Sequence, residues 1–365
     1  MSKIFKKYQK SIINIMKVVY LIPLMLISFS LMQMTACNND ENPVVPIISI
    51  PILDSNVFDW EIDTLYTNTS RDFFVADTSN IFIAGNPYSV YKSGNSIRYI
   101  NHQDNDFFAF CVNGTDINNV YIGGGAYYSQ RTKLKRWNGI SIEDINLPID
   151  SIGRIDRIET ISANDIWLST AKNIIYHYQN NSVVTYRLDT NLKFGRIYKN
   201  TTENLYCQFL RPLPSTNEVT MYMYGFVNSE WVKICEDTFN EYSNNDEMGH
   251  FMGFSENKML RRGKHSIYYF TGSNWVKYID LDNNLFPEGA ASGKNQNNML
   301  LDAKRENNTY SYFYNGTQLF QNQLNALTTT IPEYVQFSND RYYLVNNYDI
   351  NLSYFAIAKF QSKIN

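Results

Sequence analysis

The sequence predicts an all-β fold: a β-propeller of seven four-stranded blades, closed by a strand from the N-terminal side. Three observations predict it. An Asn or Asp followed by a short apolar run recurs at Asn80, Asn119, Asp165, Asn204, Asn257, Asn298 and Asp340, at spacings of 39, 46, 39, 53, 41 and 42 residues. A period of about 43 with three or four strands per unit is that of a propeller blade. Second, the later part of each unit carries Asn-Gly or a related dipeptide between alternating apolar runs, which is a hairpin signal. Third, the last unit stops one strand short. The 53-residue gap has room for extra strands and keeps six or eight blades as alternatives.

Residues 1–36 stand apart from the repeats. Lys3, Lys6, Lys7, Lys10 and Lys17 give a positive start with no acidic residue, and Val18–Met32 is a largely apolar run. That run is shorter than the roughly 20 residues of a membrane-spanning helix and fits a signal peptide. It ends at Met34-Thr35-Ala36-Cys37. Small residues ahead of a Cys resemble the lipobox of bacterial lipoproteins, with Met34 where Leu is usual. The resemblance implies cleavage before Cys37 and lipidation of Cys37; an ordinary cleaved signal and an uncleaved anchor are the other readings. Loss of residues 1–36 removes five Lys and no acid, taking the formal charge from -3 to -8 over 329 residues. Asn38-Asn39-Asp40-Glu41 resembles the surface-export signal of some Gram-negative lipoproteins, or is simply a polar tether. Asn42–Pro51, with Pro43, Pro46 and Pro51, reads as an extended segment stiffened by proline. The expected organisation is a leader over 1–36, a lipidated Cys and tether over 37–56, and the propeller over 57–365.

The unit at Ile161–Leu188 states the pattern most clearly. Ala163-Asn164-Asp165 turns into the strand Ile166–Ser169; Ile174–Tyr178 follows; Asn180-Asn181 makes a tight turn into Val183–Leu188. The same hairpin is written at Tyr91 through Ser93-Gly94-Asn95 to Ile97, Trp137 through Asn138-Gly139 to Ile142, Phe226 through Asn228-Ser229 to Trp231, Phe270 through Gly272-Ser273 to Trp275, and Tyr314 through Asn315-Gly316 to Leu319. The seventh unit has Tyr334–Phe337, Tyr342–Val345 and Tyr354–Phe360, then ends. Phe58-Asp59-Trp60-Glu61-Ile62-Asp63 matches the outer strands at Trp231 and Trp275, so it is expected to complete the seventh blade and remove an open edge.

Composition supplies the core and excludes several functions. Aromatics are 15% of the chain and charged residues 18%, so there is ample apolar material to fold. The pI near 5.9 and the lack of a basic stripe argue against a nucleic-acid partner. Cys111, Cys207 and Cys235 sit in apolar strand patterns and read as buried free thiols; Cys207 and Cys235 fall on non-adjacent strands of one blade, against a disulfide. His102, His177, His250 and His265 form no zinc-ligand spacing, and no metal or other cofactor is expected. His177 reads as a packed or hydrogen-bonded strand residue. There is no Gly-x-Ser-x-Gly nucleophile elbow.

Binding residues are expected on the rim formed by the second-to-third and blade-to-blade connections, because those loops are long and uneven: Gly123–Thr132, Phe209–Val219, Glu236–His250 and Asp280–Ala291. The candidates are Tyr127, Tyr128 and Arg131 in one loop, Arg211 in another, and His102 and His250 in rim-type loops. Tyr and Arg are common anchors at protein interfaces, and a flat ring also stacks on a sugar. Mutual packing of the loops over the rim is the alternative role. The acidic run Glu236-Asp237 to Asp246-Glu247 lacks the spacing of a known calcium loop and reads as solvated.

Asn164-Asp165-Ile166-Trp167 and Ile175-Tyr176-His177-Tyr178 resemble the repeat of a broad superfamily of bacterial propellers, loosely related to the sensor propellers of two-component regulators. The resemblance implies the fold and says little of function. The repeated Trp-Asp of WD40 blades is lacking, and the glycine pair of kelch repeats occurs once, at Gly123-Gly124. The expected function is a membrane-anchored, exported, non-enzymatic binding protein that presents its long-loop rim to a protein or a glycan. An envelope assembly scaffold, analogous to the propeller lipoprotein of the outer-membrane barrel-assembly machine, is the second reading. A carbohydrate hydrolase with acids drawn from several blades is the third.

Overall fold

The computed structural model describes residues between 58 and 360, apart from short segments between strands that include 66–68, 127–130, 148–152, 213–217, 241–250 and 322–331. Every regular element among the described residues is a strand, and the strands form seven antiparallel blades of four. Strand β1 (Phe58–Leu65) precedes the first blade, which holds β2 (Thr69–Val75), β3 (Asn80–Asn86), β4 (Tyr88–Ser93) and β5 (Ser96–Asn101). The second holds β6 (Phe107–Asp116), β7 (Asn119–Ala126), β8 (Thr132–Trp137) and β9 (Ile142–Ile145). The third holds β10 (Ile155–Ser162), β11 (Asp165–Thr170), β12 (Ile174–Gln179) and β13 (Ser182–Arg187). The fourth holds β14 (Lys193–Lys199), β15 (Leu205–Pro212), β16 (Glu218–Val227) and β17 (Glu230–Asn240). The fifth holds β18 (Phe251–Ser255), β19 (Lys258–Arg262), β20 (Ser266–Phe270) and β21 (Trp275–Asp280). The sixth holds β22 (Leu285–Asn295), β23 (Asn298–Arg305), β24 (Asn308–Tyr314) and β25 (Leu319–Gln321), and a single parallel bridge from Ser255 to Gly293 links it to the fifth. The seventh holds β26 (Pro332–Ser338), β27 (Arg341–Asn347) and β28 (Ser353–Phe360), and β1 completes it.

That completion is the expected closure. β1 pairs with β28 without a register break, from Phe58 opposite Phe360 to Leu65 opposite Ser353. Leu65 and Ile357 then pack in one cluster with Phe73, Val75, Ile81, Ile83 and Val90 of the first blade. The first and last described strands are thereby joined to one another and to the first blade. Comparable apolar clusters fill the seams between the first and second, second and third, third and fourth, fourth and fifth, and fifth and sixth blades. The core therefore lies between blades, where both faces of a sheet are covered. The three cysteines Cys111, Cys207 and Cys235 are buried free thiols in those seams.

The repeated Asn or Asp has a structural cause. Asp77 accepts from the backbone N–H of Ser79 and Asn80 and from the Asn80 amide; Asp116 accepts in the same way from Asn118 and Asn119. Each is a side chain capping its own turn. The repeat residue then reaches across to the third strand. Asn80 accepts from the Tyr91 hydroxyl, Asn119 from Arg136, and Asp165 meets His177 Nε2 at 2.8 Å. His177 also stacks on Trp167 with ring centroids 3.9 Å apart. The residues that carry the superfamily resemblance are thus scaffold. The tight turns form as their residues require: Asn180, Asn181, Asn228 and Ser229 all have positive φ, the pattern of a two-residue hairpin turn whose twist matches the strands.

The long rim loops are shorter than the sequence suggests. Pairing of β15 with β16 continues through Arg211–Thr220 and Pro212–Val219, so the connection is only 213–217. Pro212 is tolerated there because β14 pairs with β15 no further than Leu210, leaving no ladder partner for its missing N–H. β17 runs on to Asn240, which puts Glu236 and Asp237 in a strand, where they pair with Lys233 and Arg261. β7 extends to Ala126, and β22 begins at Leu285.

Candidate functional site at the axial mouth

The first strands of the blades contact one another: β2 meets β6, β6 meets β10, β10 meets β14, and β22 meets β18 and β26. They therefore surround the axis. Each carries a register slip against the second strand, with one extra residue in six of the blades and two in the sixth blade. The slips fall between Ser70 and Asp72, Ala109 and Cys111, Ile155 and Arg157, Lys193 and Arg196, Phe251 and Gly253, Pro287 and Ala291, and Pro332 and Tyr334. A bulge re-aims the side chain it carries and is common beside functional sites. Repetition in all seven blades makes a ring of re-aimed positions. It lies where each first strand begins, on the rim that also holds the second-to-third connections.

In the second and fourth blades, backbone groups at and beside the bulges bond to side chains of neighbouring blades. The Asn86 amide bonds both Ala109 N–H (2.9 Å) and Ala109 C=O (3.0 Å). Ser169 Oγ donates to Gly195 C=O (2.8 Å) and accepts from Ile197 N–H (3.0 Å). Asp72 accepts from Val112 N–H (3.1 Å). At these places the ring is held by fixed hydrogen bonds. Gly124 makes room for it, since a Cβ there would sit 2.0 Å from the Phe108 carbonyl oxygen.

Three blades converge at the outer layer of this mouth. Arg71 and Phe110 are the bulge residues of the first and second blades, and Asp156 is that of the third. The Arg154 guanidinium lies 4.1 Å from the Phe110 ring centroid, and that of Arg71 lies 5.7 Å from it. Phe108 packs beside Phe110 with centroids 5.0 Å apart. Arg154 Nε donates to Asp156 Oδ1 at 2.6 Å. Burial pushes the Asp156 carboxyl up from its ordinary value, while Arg154 and Arg196 pull it back.

A second layer lies deeper. Arg157 Nη1 is 3.1 Å from Asp72 Oδ1, and Arg157 Nε is 3.8 Å from Glu159 Oε1. Asn113 Nδ2 faces Glu159 at 3.4 Å, and Lys199 Nζ donates to Thr160 C=O at 2.8 Å. Burial raises the Glu159 carboxyl to about 7 against the pull of Arg157 and Lys199. Burial likewise raises Asp72, with Arg157 and the Val112 N–H opposing it. Arg71, Arg154, Arg157, Arg196 and Lys199 outnumber Asp72, Asp156 and Glu159 in this group, so the described part of the mouth is cationic within a chain of net charge -3. The three acids come from the first and third blades, and each faces an arginine. Among the described residues no group of three or more His, Cys, Asp or Glu is placed to hold a metal ion.

Of the residues singled out in the sequence, Arg131 borders this rim: it is exposed at the start of the third strand of the second blade, and its C=O accepts from Ala126 N–H. Arg211 lies apart, over the Tyr222 ring at 4.7 Å and 3.6 Å from Asp189. His102 is buried, 2% exposed, with Nε2 at 2.8 Å from Ser89 Oγ and its ring against Phe107. Burial and the nearby Lys135 lower it to about 4, so its ring is held neutral among these neighbours. Tyr127, Tyr128, His250 and Cys37 lie outside the described residues. Arg71, Phe110, Arg154 and Arg157 were not singled out. The available signal was charge within apolar first strands, as in Ser70-Arg71-Asp72 and Arg154-Ile155-Asp156-Arg157.

Solved structures share this fold. The chain is similar to the structure described as YCF48 bound to D1 peptide, at 14% identity and TM-score 0.64, covering 86% of this chain and 100% of that one. It is similar to a puromycin hydrolase S511A mutant at 6% identity and TM-score 0.57, covering 76% of this chain and 50% of the hydrolase. It is also similar to the extracellular domain of the hybrid two-component system BT3049 from B. thetaiotaomicron, at 8% identity and TM-score 0.52, covering 80% of this chain and 40% of that one. The fold is a β-propeller. At these identities the likeness extends to fold alone. No protein-family model and no curated protein matches the chain.

Proposed function

We propose that the protein is an exported, lipid-anchored propeller whose axial mouth binds an extended segment of a partner protein without chemical turnover. The observation that carries the reading is the register slip repeated in the first strand of all seven blades, which in the first three blades places Arg71, Phe110 and Asp156 at one mouth. An extended peptide suits such a mouth, because its alternating side chains and free backbone groups can meet several blades at once. The peptide-bound state of the similar propeller YCF48 supports this reading by analogy of fold. Asp72, Asp156 and Glu159, the acids of the mouth among the described residues, face arginines, which favours binding over hydrolysis. The leader and Cys37 support export and anchoring, and anchoring by lipid needs more than one acyl chain to be stable.

A photo-cross-linking residue placed at Phe110 in cells, compared with one at the exposed outer-strand position Val184, tests the site. A discrete protein adduct at Phe110 and none at Val184 is expected. Equal adducts at both, or none at Phe110, would overturn the site. An integral membrane protein in the Phe110 adduct would make the protein an assembly scaffold. Labelling with an alkyne-bearing palmitate analogue tests the anchor, and it should be lost in Cys37→Ser.

A further inference from the structure

We infer that Arg71 and Arg154, on the Phe110 ring, form a receptor for a carboxylate carried by the bound peptide. This rests on the peptide-binding reading above. Arg71 Nε is buried without a hydrogen-bond acceptor, and among the described residues Arg71 has no carboxylate partner. A guanidinium carries five N–H donors in a planar fork, and a buried N–H without an acceptor, as at Arg71 Nε, is costly unless a ligand supplies one. Arg71 is also a bulge residue, so its direction is set by the register slip between Ser70 and Asp72.

Arg154 has one edge engaged, Nε with Asp156 Oδ1 at 2.6 Å. Its guanidinium carbon lies 4.1 Å from the Phe110 ring centroid, and a guanidinium stacked on a ring keeps its in-plane N–H groups for an acceptor beside it. Among the described residues, the acids nearest to these arginines are already occupied. Asp72 takes Arg157 and the Val112 N–H, and Asp156 takes Arg154. What is left is a pair of arginines from the first and third blades around an aromatic floor from the second. A planar carboxylate accepts two parallel N–H bonds from such a fork, and the apolar part of the residue bearing it can lie on Phe108 and Phe110. The chain-terminal carboxylate and an Asp or Glu side chain share this chemistry.

The test uses the full chain in detergent with ¹⁵N-labelled arginine. Sodium acetate and inorganic phosphate are titrated separately at constant ionic strength while the Arg71 and Arg154 Nε–H resonances are followed. Acetate should shift both to saturation, and Arg71→Met should abolish the response of Arg154. A preference for phosphate, or no saturable shift, would overturn the inference. In parallel, three libraries of acetylated octapeptides are bound: one with free C-termini, one amidated and lacking Asp and Glu, and one amidated with a single internal acid. Binding about tenfold tighter for either carboxylate-bearing library than for the neutral one is expected, and the better of the two identifies the source. Arg71→Met should erase that preference, and Arg71→Lys, which keeps charge but not the fork, should restore only part of it. Equal binding of all three libraries overturns the carboxylate receptor and leaves the peptide reading standing. Binding of none overturns the peptide reading, and with it the assignment of this pocket to a peptide.

Discussion

Asp72 and Arg157 belong to the first and third blades, yet Arg157 Nη1 lies 3.1 Å from Asp72 Oδ1, an ion pair that bridges two blades past the one between them. Asp72 is 4% exposed, and its second oxygen accepts from Val112 N–H of the second blade. One carboxylate therefore ties three consecutive blades at the axis.

Removal of that carboxylate leaves a partly buried guanidinium and a buried N–H without their acceptor. Asp72→Ala is expected to destabilise the fold by about 3 kcal/mol. Asp72→Asn keeps an acceptor for Val112 and should cost less. Urea unfolding of Asp72→Ala, Arg157→Met and the double variant measures the coupling. Additive losses would show that the two side chains do not stabilise each other across the axis.

Glu159 gives the stability a pH dependence. Its carboxyl is raised from 4.5 to about 7, chiefly by burial, with Arg157 and Lys199 opposing. The folded chain then holds a proton that the unfolded chain has already released. This contribution is complete below the ordinary value of 4.5 and is lost as the pH rises through about 7. The thermal midpoint of the native chain should fall between about pH 5 and pH 8, and that of Glu159→Gln should fall less. Parallel pH profiles for the two proteins would remove Glu159 from the account.

The repeat was legible because a few residues each make one turn. Asp77 and Asn80, or Asp116 and Asn119, bond each other across a strand connection, and local chemistry of that kind is written in sequence. The closing strand was legible because Phe58-Asp59-Trp60 matches the outer strands elsewhere. The bulge ring was not. Arg71, Phe110 and Asp156 share a place in the register and no side-chain chemistry, so no single residue type marks the slip. The rim loops were over-read at Arg211 and Pro212, where a proline and a cation continue an outlying pair of strands. His102 looked like a rim residue by position, but Ser89 and Phe107 enclose it.

Ser229 is a place where the turn can be improved. It sits in a tight hairpin turn with φ +66° and is exposed. A residue with a Cβ is strained in that region, whereas glycine adopts it freely. Ser229→Gly should therefore stabilise the protein by about 0.5 kcal/mol, less the entropy that glycine adds to the unfolded chain. A lowered urea midpoint would mean that the unfolded-state term wins.

Gly124 and Gly94 separate the two demands a glycine can meet. Gly94 has φ +55°, but a Cβ there would have nothing within 4 Å. Gly94→Ala should cost only the conformational strain, about 1 kcal/mol. At Gly124 the limit is space: a Cβ would lie 2.0 Å from the Phe108 carbonyl oxygen, which is backbone and cannot swing aside. That carbonyl stands two residues before Phe110, so relief of the clash must move the segment that carries the bulge. Gly124→Ala is expected to cost about 3 kcal/mol or more, and to weaken ligand binding at the mouth in whatever fraction still folds. Urea unfolding beside the Phe110 cross-linking yield checks both parts. If Gly124→Ala costs no more than Gly94→Ala and leaves the cross-link intact, the bulge does not depend on that close approach.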